Sequence, residues 1–105
     1  MNKFKVVTNI MLDMKIEFDD GFELTRAAVI MVIDSPLITV TKHIYPELAK
    51  RYASTIPAVE RCIRTTAEKT AKKNNLDRMT NLHFIRYMAN KARIILSEEE
   101  DKINV

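Results

Sequence analysis

The fold is decided by residues 45–69, YPELAKRYASTIPAVERCIRTTAEK, which contain two short apolar patterns with helical spacing. A short, sterically light break, AST at 53–55, separates the two patterns. In the first pattern, Leu48 and Tyr52 flank the small Ala49, which would let a second helix cross closely. The stretch therefore predicts a helix-turn-helix, two helices joined by a tight turn.

The second helix of this pair should bury Val59 and either Cys62 or Ile63 against the first helix. The helical period then turns a polar and charged face outward. The outward residues are Glu60, Arg61, Arg64, Thr65 and Glu68. An arginine can donate two hydrogen bonds to guanine, and a glutamate can accept one from cytosine. This face therefore has the chemistry of a helix that lies in the major groove of DNA.

Plainer explanations exist for several of these residues. Glu60 and Arg64 are four residues apart and can pair along the helix, for roughly a few tenths of a kcal/mol. Cys62 lies where the helices should pack, which favours a small core residue over a nucleophile. His43 and His83 have no evident partners in the sequence, so we expect ordinary packed or surface histidines. We expect no enzymatic activity, because the titratable groups do not suggest a shared pocket.

The composition indicates one helical domain. The chain has 105 residues, of which 47% are hydrophobic and 30% charged, so it should fold around a core. Gly21 is the only glycine, whereas a small sheet-rich domain needs many glycine turns. One cysteine and two histidines argue against a disulfide and against a zinc site, and we expect no metal and no cofactor. Without a signal peptide or membrane span, we expect a cytoplasmic protein.

Positive charge is concentrated in the middle of the chain. Residues 42–93 hold twelve Lys/Arg against four Asp/Glu, a balance of +8, although the whole chain carries only +3. Such a block attracts polyanions, and the alternative is a solvated, lysine-rich helical surface. The expected DNA phosphate contacts are Lys50, Arg51, Lys69, Lys72 and Lys73. Affinity that depends on these contacts should fall steeply with added salt.

Periodicity elsewhere predicts a compact all-α bundle of five to six helices. The predicted helices are residues 3–15, 23–33, a segment that begins near 39, 56–73 and 81–96. Residues 1–96 then form a single domain, and residues 97–105 form an acidic C-terminal tail that should fray.

Local signals set the helix ends. Gly21, in the turn EFDDG, is expected to be free to adopt a positive φ. Thr39 or Thr41 could cap the third segment. Because Pro46 follows, this segment is either a short turn to residue 45 with a new helix from Pro46, or one kinked helix. Thr55 is the expected N-cap of the helix at 56–73.

Four stretches of the sequence resemble one known family. They are LTRAAVIMV at 24–32, ITVTKHIYPELAKRY at 38–52, VERCIRTTAE at 59–68 and TNLHFIRYMANKARI at 80–94. Together they resemble the C-terminal DNA-binding effector domain of the stage-zero sporulation response regulator, over roughly residues 5–96. The resemblance implies an all-helical bundle of about six helices with a central helix-turn-helix. It also implies binding to a short duplex box, often in tandem copies, and action on transcription with RNA polymerase.

By position in the family motif, Glu60 and Arg61 match the base-reading pair, and Arg64 matches a further DNA-contacting position. Two departures stand out. Pro57 and Ala58 replace residues that are usually polar or basic, and the connection KKNNLDRM, at 72–79, is shorter than in the family. That region carries a sigma-factor surface in the family, so activation is less firmly implied than DNA binding. We also expect no receiver domain within this polypeptide.

The sequence therefore predicts a sequence-specific, duplex-DNA-binding transcriptional regulator. The alternative is a protein-interaction module that modulates a full-length regulator without reading DNA itself. Expected partners are double-stranded DNA, then RNA polymerase or a full-length response regulator, and a second copy on tandem sites, but no membrane. The apolar face of the last helix is explained equally well by dimerisation and by the core of a monomer.

Overall fold

The structure is a computed structural model that describes residues 2–103, with side chains described for residues 2–99. It contains five α-helices, α1 (Lys3–Asp13), α2 (Asp20–Asp34), α3 (Tyr45–Arg51), α4 (Ile56–Lys73) and α5 (Asn81–Ile103), and a π-helical turn, Val40–Ile44, that leads into α3. The described residues contain no strand. The predicted all-α bundle of five to six helices is therefore confirmed. None of the helices in residues 2–103 is long and apolar enough to cross a membrane.

Side chains cap the start of four helices. In each case a side-chain oxygen accepts a hydrogen bond from the backbone N–H three residues further on, which satisfies one of the unpaired N–H groups of the first turn. The capping residues are Asn2, Asp19, Thr55 and Thr80, at 2.8, 3.0, 3.2 and 3.2 Å. The cap predicted at Thr55 is present, so α4 begins where the sequence placed it.

Three helices end in the same way without a glycine. Lys15, Ala53 and Asn75 have φ values of 62°, 50° and 53° and follow the C-caps of α1, α3 and α4. After α3, the Ser54 N–H donates to the Ala49 carbonyl at 2.8 Å, the bond that defines a Schellman motif. The turn between α3 and α4 is therefore built on a left-handed alanine.

Gly21 does not have the conformation that its sequence context predicts. The expectation of a positive φ is wrong, because Gly21 lies in the first turn of α2 and its φ is negative. Its role is close packing, since a Cβ added here would lie 2.1 Å from the Thr66 Oγ1 of α4. The capping Asp19 also starts α2 three residues before the predicted position at 23. The missing side chain lets α2 approach α4 closely.

The third segment combines both predicted alternatives. The backbone is helical without interruption from Val40, and the hydrogen bonding changes from π to α at Tyr45. Thr39 precedes the π turn, but its side chain caps no backbone N–H. Its hydroxyl instead lies 2.7 Å from the His43 Nδ1, which also accepts from the Thr39 N–H at 3.4 Å. His43 therefore has a partner that the sequence did not reveal, and the cap expected from the Thr39 side chain is absent.

The core lies between α1, α2, α4 and α5, and α2 contacts each of the other four α-helices. A helix so surrounded is expected to be apolar over most of its circumference, as the sequence of α2 is. The largest fully buried side chains include Met11, Phe22, Ile44, Leu48, Ile63, Phe84, Ile85 and Met88. They come from every helix and from the π turn, so α3 and α4 are fixed to a single core.

Helix α5 continues beyond its predicted end at Leu96 and is described as far as Ile103. The predicted fraying of the acidic tail is therefore not seen in residues 97–103, whereas Asn104 and Val105 lie outside the described residues. The physical reason is that SEEEDK contains strong helix formers and lacks the glycine or proline that would end a helix.

Candidate nucleic-acid interface

The helical pair predicted from residues 45–69 is formed by α3 and α4. Four residues, 52–55, separate the helices, and the Schellman bond from Ser54 to Ala49 closes the turn. Ala49 is 8% exposed and Leu48 fully buried, so the small residue lies at the packed side of α3, as its position in the pattern predicted. The arrangement places the start of α4 at the surface beside α3.

The inner face of α4 is buried. Val59 and Ile63 are both 0% exposed, whereas Cys62 is only half-buried. Of the two residues that could have packed against α3, Ile63 is thus the core residue. Thr66 and Thr70 are also buried, and their hydroxyls donate to carbonyls four residues earlier, at 3.0 and 2.7 Å. This side of the helix therefore leaves no unpaired side-chain group.

The outer face of α4 carries the predicted recognition residues. Arg61, Arg64 and Thr65 are exposed, and Glu60 and Glu68 are half-buried. The predicted pair along the helix is present, with Arg64 Nη1 3.0 Å from Glu60 Oε1. An ion pair this exposed contributes only about 0–1 kcal/mol to folding stability. Each side chain can therefore leave this pair and bind another partner. We name Glu60, Arg61, Arg64 and Thr65 the α4 ridge.

The predicted phosphate-contacting residues do not share one environment. Lys50, Lys69 and Lys72 are exposed, and Arg51 lies 3.6 Å from Glu47 on the surface of α3. Lys73 differs, because its Nζ donates to the Lys15 carbonyl at 3.0 Å and lies 3.4 Å from Glu17.

Those contacts connect the end of α4 to the α1–α2 connection. Of the five predicted phosphate contacts, Lys73 is therefore the one held by a structural role.

An amide at the start of α5 holds α3 and α4 together behind the ridge. Asn81 Nδ2 donates to the Tyr45 hydroxyl at 2.8 Å and to the Glu60 carbonyl at 3.1 Å. Burial raises the pKa of Tyr45, partly offset by the hydrogen bond from Asn81, so the phenol stays neutral. Sequence reasoning missed this bridge, because the three residues lie on three different helices. The contact fixes the backbone at the residue that begins the ridge.

A groove opens beside the ridge, on the side of Glu60 and Arg64. It is bounded by residues 36–41, by α4 and by the start of α5, and its volume is about 710 Å³. Arg78 and Arg86 line it together with Arg64. Both arginines belong to the basic block at 42–93, but the sequence pattern predicts no role for them, since their nearness to α4 depends on how α5 returns to the bundle.

The Cys62 thiol is not activated as a nucleophile, and His43 and His83 are both exposed. Burial raises the pKa of the Cys62 thiol, and the nearby carboxylates of Asp19 and Asp20 raise it further. The thiol is therefore protonated at neutral pH and a poor nucleophile. Within the described residues, no three side chains of His, Cys, Asp or Glu come together as metal ligands would.

The family model of the sporulation initiation factor Spo0A C terminal matches residues 7–98, which include most of α1, all of α2 to α4, and α5 as far as residue 98. The family is a DNA-binding, regulatory one rather than an enzymatic one. The match contains the α4 ridge and the Asn81 bridge, and it confirms the resemblance seen in the sequence. The chain belongs to the Spo0A C-terminal effector-domain family.

Proposed function

We propose that this protein is a sequence-specific, duplex-DNA-binding transcriptional regulator that places α4 in the major groove. The observation that carries the proposal is the α4 ridge, in which Arg61, Arg64 and Thr65 are exposed. The opposite face of the helix is buried, and the chain belongs to a DNA-binding family. A major groove about 12 Å wide admits one α-helix, and the ridge spans five residue steps, roughly 7.5 Å along the helix axis. That length corresponds to about two base-pair steps.

We assign base reading to Glu60 and Arg61. Arg61 is exposed, and within the described residues it has no ion-pair partner, so its guanidinium can donate two hydrogen bonds to a guanine. Glu60 can accept from a cytosine N4 once it releases Arg64, which then becomes available as a further contact, as does Thr65.

We assign phosphate contacts to the exposed cations that flank the ridge. They are Lys50, Arg51, Lys69 and Lys72. Lys73 would first have to release the Lys15 carbonyl and Glu17. These contacts add affinity without sequence information.

A polarisation titration compares promoter DNA that carries the family's box with a scrambled duplex of equal length. We expect wild type to prefer the box, and Arg61→Ala to lose about 1–3 kcal/mol of that preference, since one bidentate base contact is removed. Lys5→Ala, an exposed cation on α1, is the control and should keep the preference. Equal binding of both duplexes by wild type and by Arg61→Ala would contradict the base-reading role.

A protein-interaction module is the second candidate. The observation that favours it is the apolar first turn of α4, where Ile56 is 43% exposed and is followed by the exposed Pro57. Polar side chains at these positions would suit DNA better. Candidate partners are RNA polymerase, a full-length response regulator, or a second copy of this chain. Capture of a purified partner by this chain, together with salt-insensitive and weak DNA binding, would favour this second function.

A further inference from the structure

The groove beside the α4 ridge is basic, and its lining extends beyond the residues of the ridge. Three arginines line it, Arg64, Arg78 and Arg86, against one carboxylate, Glu60. The arginines come from α4, from the connection after it and from α5. Tertiary folding therefore brings three guanidinium groups to one open surface next to the ridge.

These arginines are held loosely in the free protein. Arg64 pairs with Glu60 at 3.0 Å and Arg78 with Glu68 at 3.1 Å, and the Arg78 side chain is 77% exposed. Within the described part of the chain, Arg86 makes no ion pair and is exposed. Exposed ion pairs of this kind contribute little to folding stability. A phosphate can therefore replace the carboxylates as partners of Arg64 and Arg78 at a small cost in free energy.

We propose that this groove binds the phosphodiester backbone of the DNA strand that borders the major groove occupied by α4, with Arg78 and Arg86 as phosphate contacts. The inference rests on the proposed function. Glu60 and Arg64 belong both to the ridge and to the groove lining, so a helix seated in the major groove brings one bordering strand to the groove. A guanidinium donates two parallel hydrogen bonds to a phosphate, which suits these residues to that position.

The shape of the groove favours a polymer over a small anion. It is open to solvent rather than enclosed, and its Asn81 amide already donates to the Tyr45 hydroxyl and the Glu60 carbonyl. A site for a small anion would need polar side chains that converge in an enclosed pocket. An extended backbone needs only exposed cations on an accessible surface, and Arg78 and Arg86 are both exposed.

The test is the salt dependence of DNA affinity for the variant Arg78→Gln/Arg86→Gln. Each phosphate contact contributes about 0.9 to the slope of log affinity against log salt. Between about 50 and about 200 mM salt, one contact therefore accounts for roughly a 3.5-fold loss of affinity, and two for roughly 12-fold. We expect the slope of the variant to be smaller by about 1.8 on box and scrambled duplexes alike, with the preference between them kept.

Two further variants make this measurement specific. Lys5→Gln/Lys91→Gln removes the same net charge from exposed positions on α1 and α5 outside the groove lining, and its slope should change by much less. Arg78→Lys/Arg86→Lys keeps both charges and should keep the wild-type slope. Circular dichroism confirms that each variant is folded.

The outcomes separate the inference from the proposed function. If wild type binds the box but the slope of the groove variant equals that of wild type, or that of the charge-matched control, the groove is not a phosphate track. If wild type shows no salt-dependent DNA binding at all, the proposed function itself is wrong, and the groove assignment falls with it.

Discussion

At the scale of the residue, the close approach of two helices depends on one missing side chain. Gly21 in α2 faces Thr66 in α4, and a Cβ at Gly21 would lie 2.1 Å from the Thr66 Oγ1. That hydroxyl donates to the Cys62 carbonyl, so it cannot turn away without losing its hydrogen bond. The packing therefore opposes the gain in helix propensity that alanine would otherwise bring.

We predict that Gly21→Ala lowers the free energy of unfolding by about 1–3 kcal/mol, because the added methyl overpacks the α2–α4 contact. Adding Thr66→Ala removes the clashing hydroxyl, so the double variant should be more stable than Gly21→Ala alone. Urea denaturation of wild type, both single variants and the double variant measures the coupling. Strictly additive effects would contradict the proposed contact.

At the scale of the element, α4 depends on α5 for its position. The Asn81 amide joins the Tyr45 hydroxyl in α3 to the Glu60 carbonyl in α4, so the start of α5 fixes both helices of the helix-turn-helix. Functional residues are positioned most precisely when a second set of contacts supports the element that carries them. The bridge is thus a positioning contact that holds the backbone at Glu60, the first residue of the α4 ridge.

We predict that Asn81→Ala lowers the free energy of unfolding by about 1–3 kcal/mol, since the Tyr45 and Glu60 oxygens lose a donor. It should also weaken preference for the box, because the backbone at Glu60 is less firmly held. Asn90→Ala, an exposed position on the same helix, is the matched control for denaturation and for DNA titration. Equal effects of the two variants would show that the bridge has no special role.

At the scale of the whole molecule, the buried phenol of Tyr45 links folding to pH. Burial raises its pKa above the ordinary value of 10.0, so the folded state holds this proton more tightly than the unfolded chain does. The contribution to stability is complete below pH 10.0, where both states are protonated. It is lost as the pH rises through the folded-state pKa.

We therefore predict that the free energy of unfolding of wild type declines above pH 10.0, by at most about 1.4 kcal/mol per pH unit from this group. Tyr45→Phe should be less stable at neutral pH, because the Asn81 amide loses an acceptor, but should decline less steeply in base. Thermal unfolding at a series of pH values gives the slope of stability against pH for wild type and for Tyr45→Phe. Parallel profiles would contradict the assignment to Tyr45.

The sequence by itself determined that the helices exist, that α3 and α4 form a helix-turn-helix, and that the α4 ridge faces outward, although α2 begins earlier and α5 extends further than predicted. These follow from local physics, because a period of 3.6 residues decides which of Val59, Glu60 and Arg61 lie on the same face, and Thr55 caps the helix within its own first turn. Family resemblance added the base-reading assignment of Glu60 and Arg61, which stays a prediction.

Only the tertiary structure decided which distant residues meet. The packing of Gly21 against Thr66, the bridge from Asn81, and the contacts that hold Lys73 all join different elements of the fold. The groove beside the α4 ridge likewise brings together residues from different elements of the fold. No periodic pattern encodes such contacts, because they depend on the angles and distances at which helices pack, and these are fixed by the whole core at once.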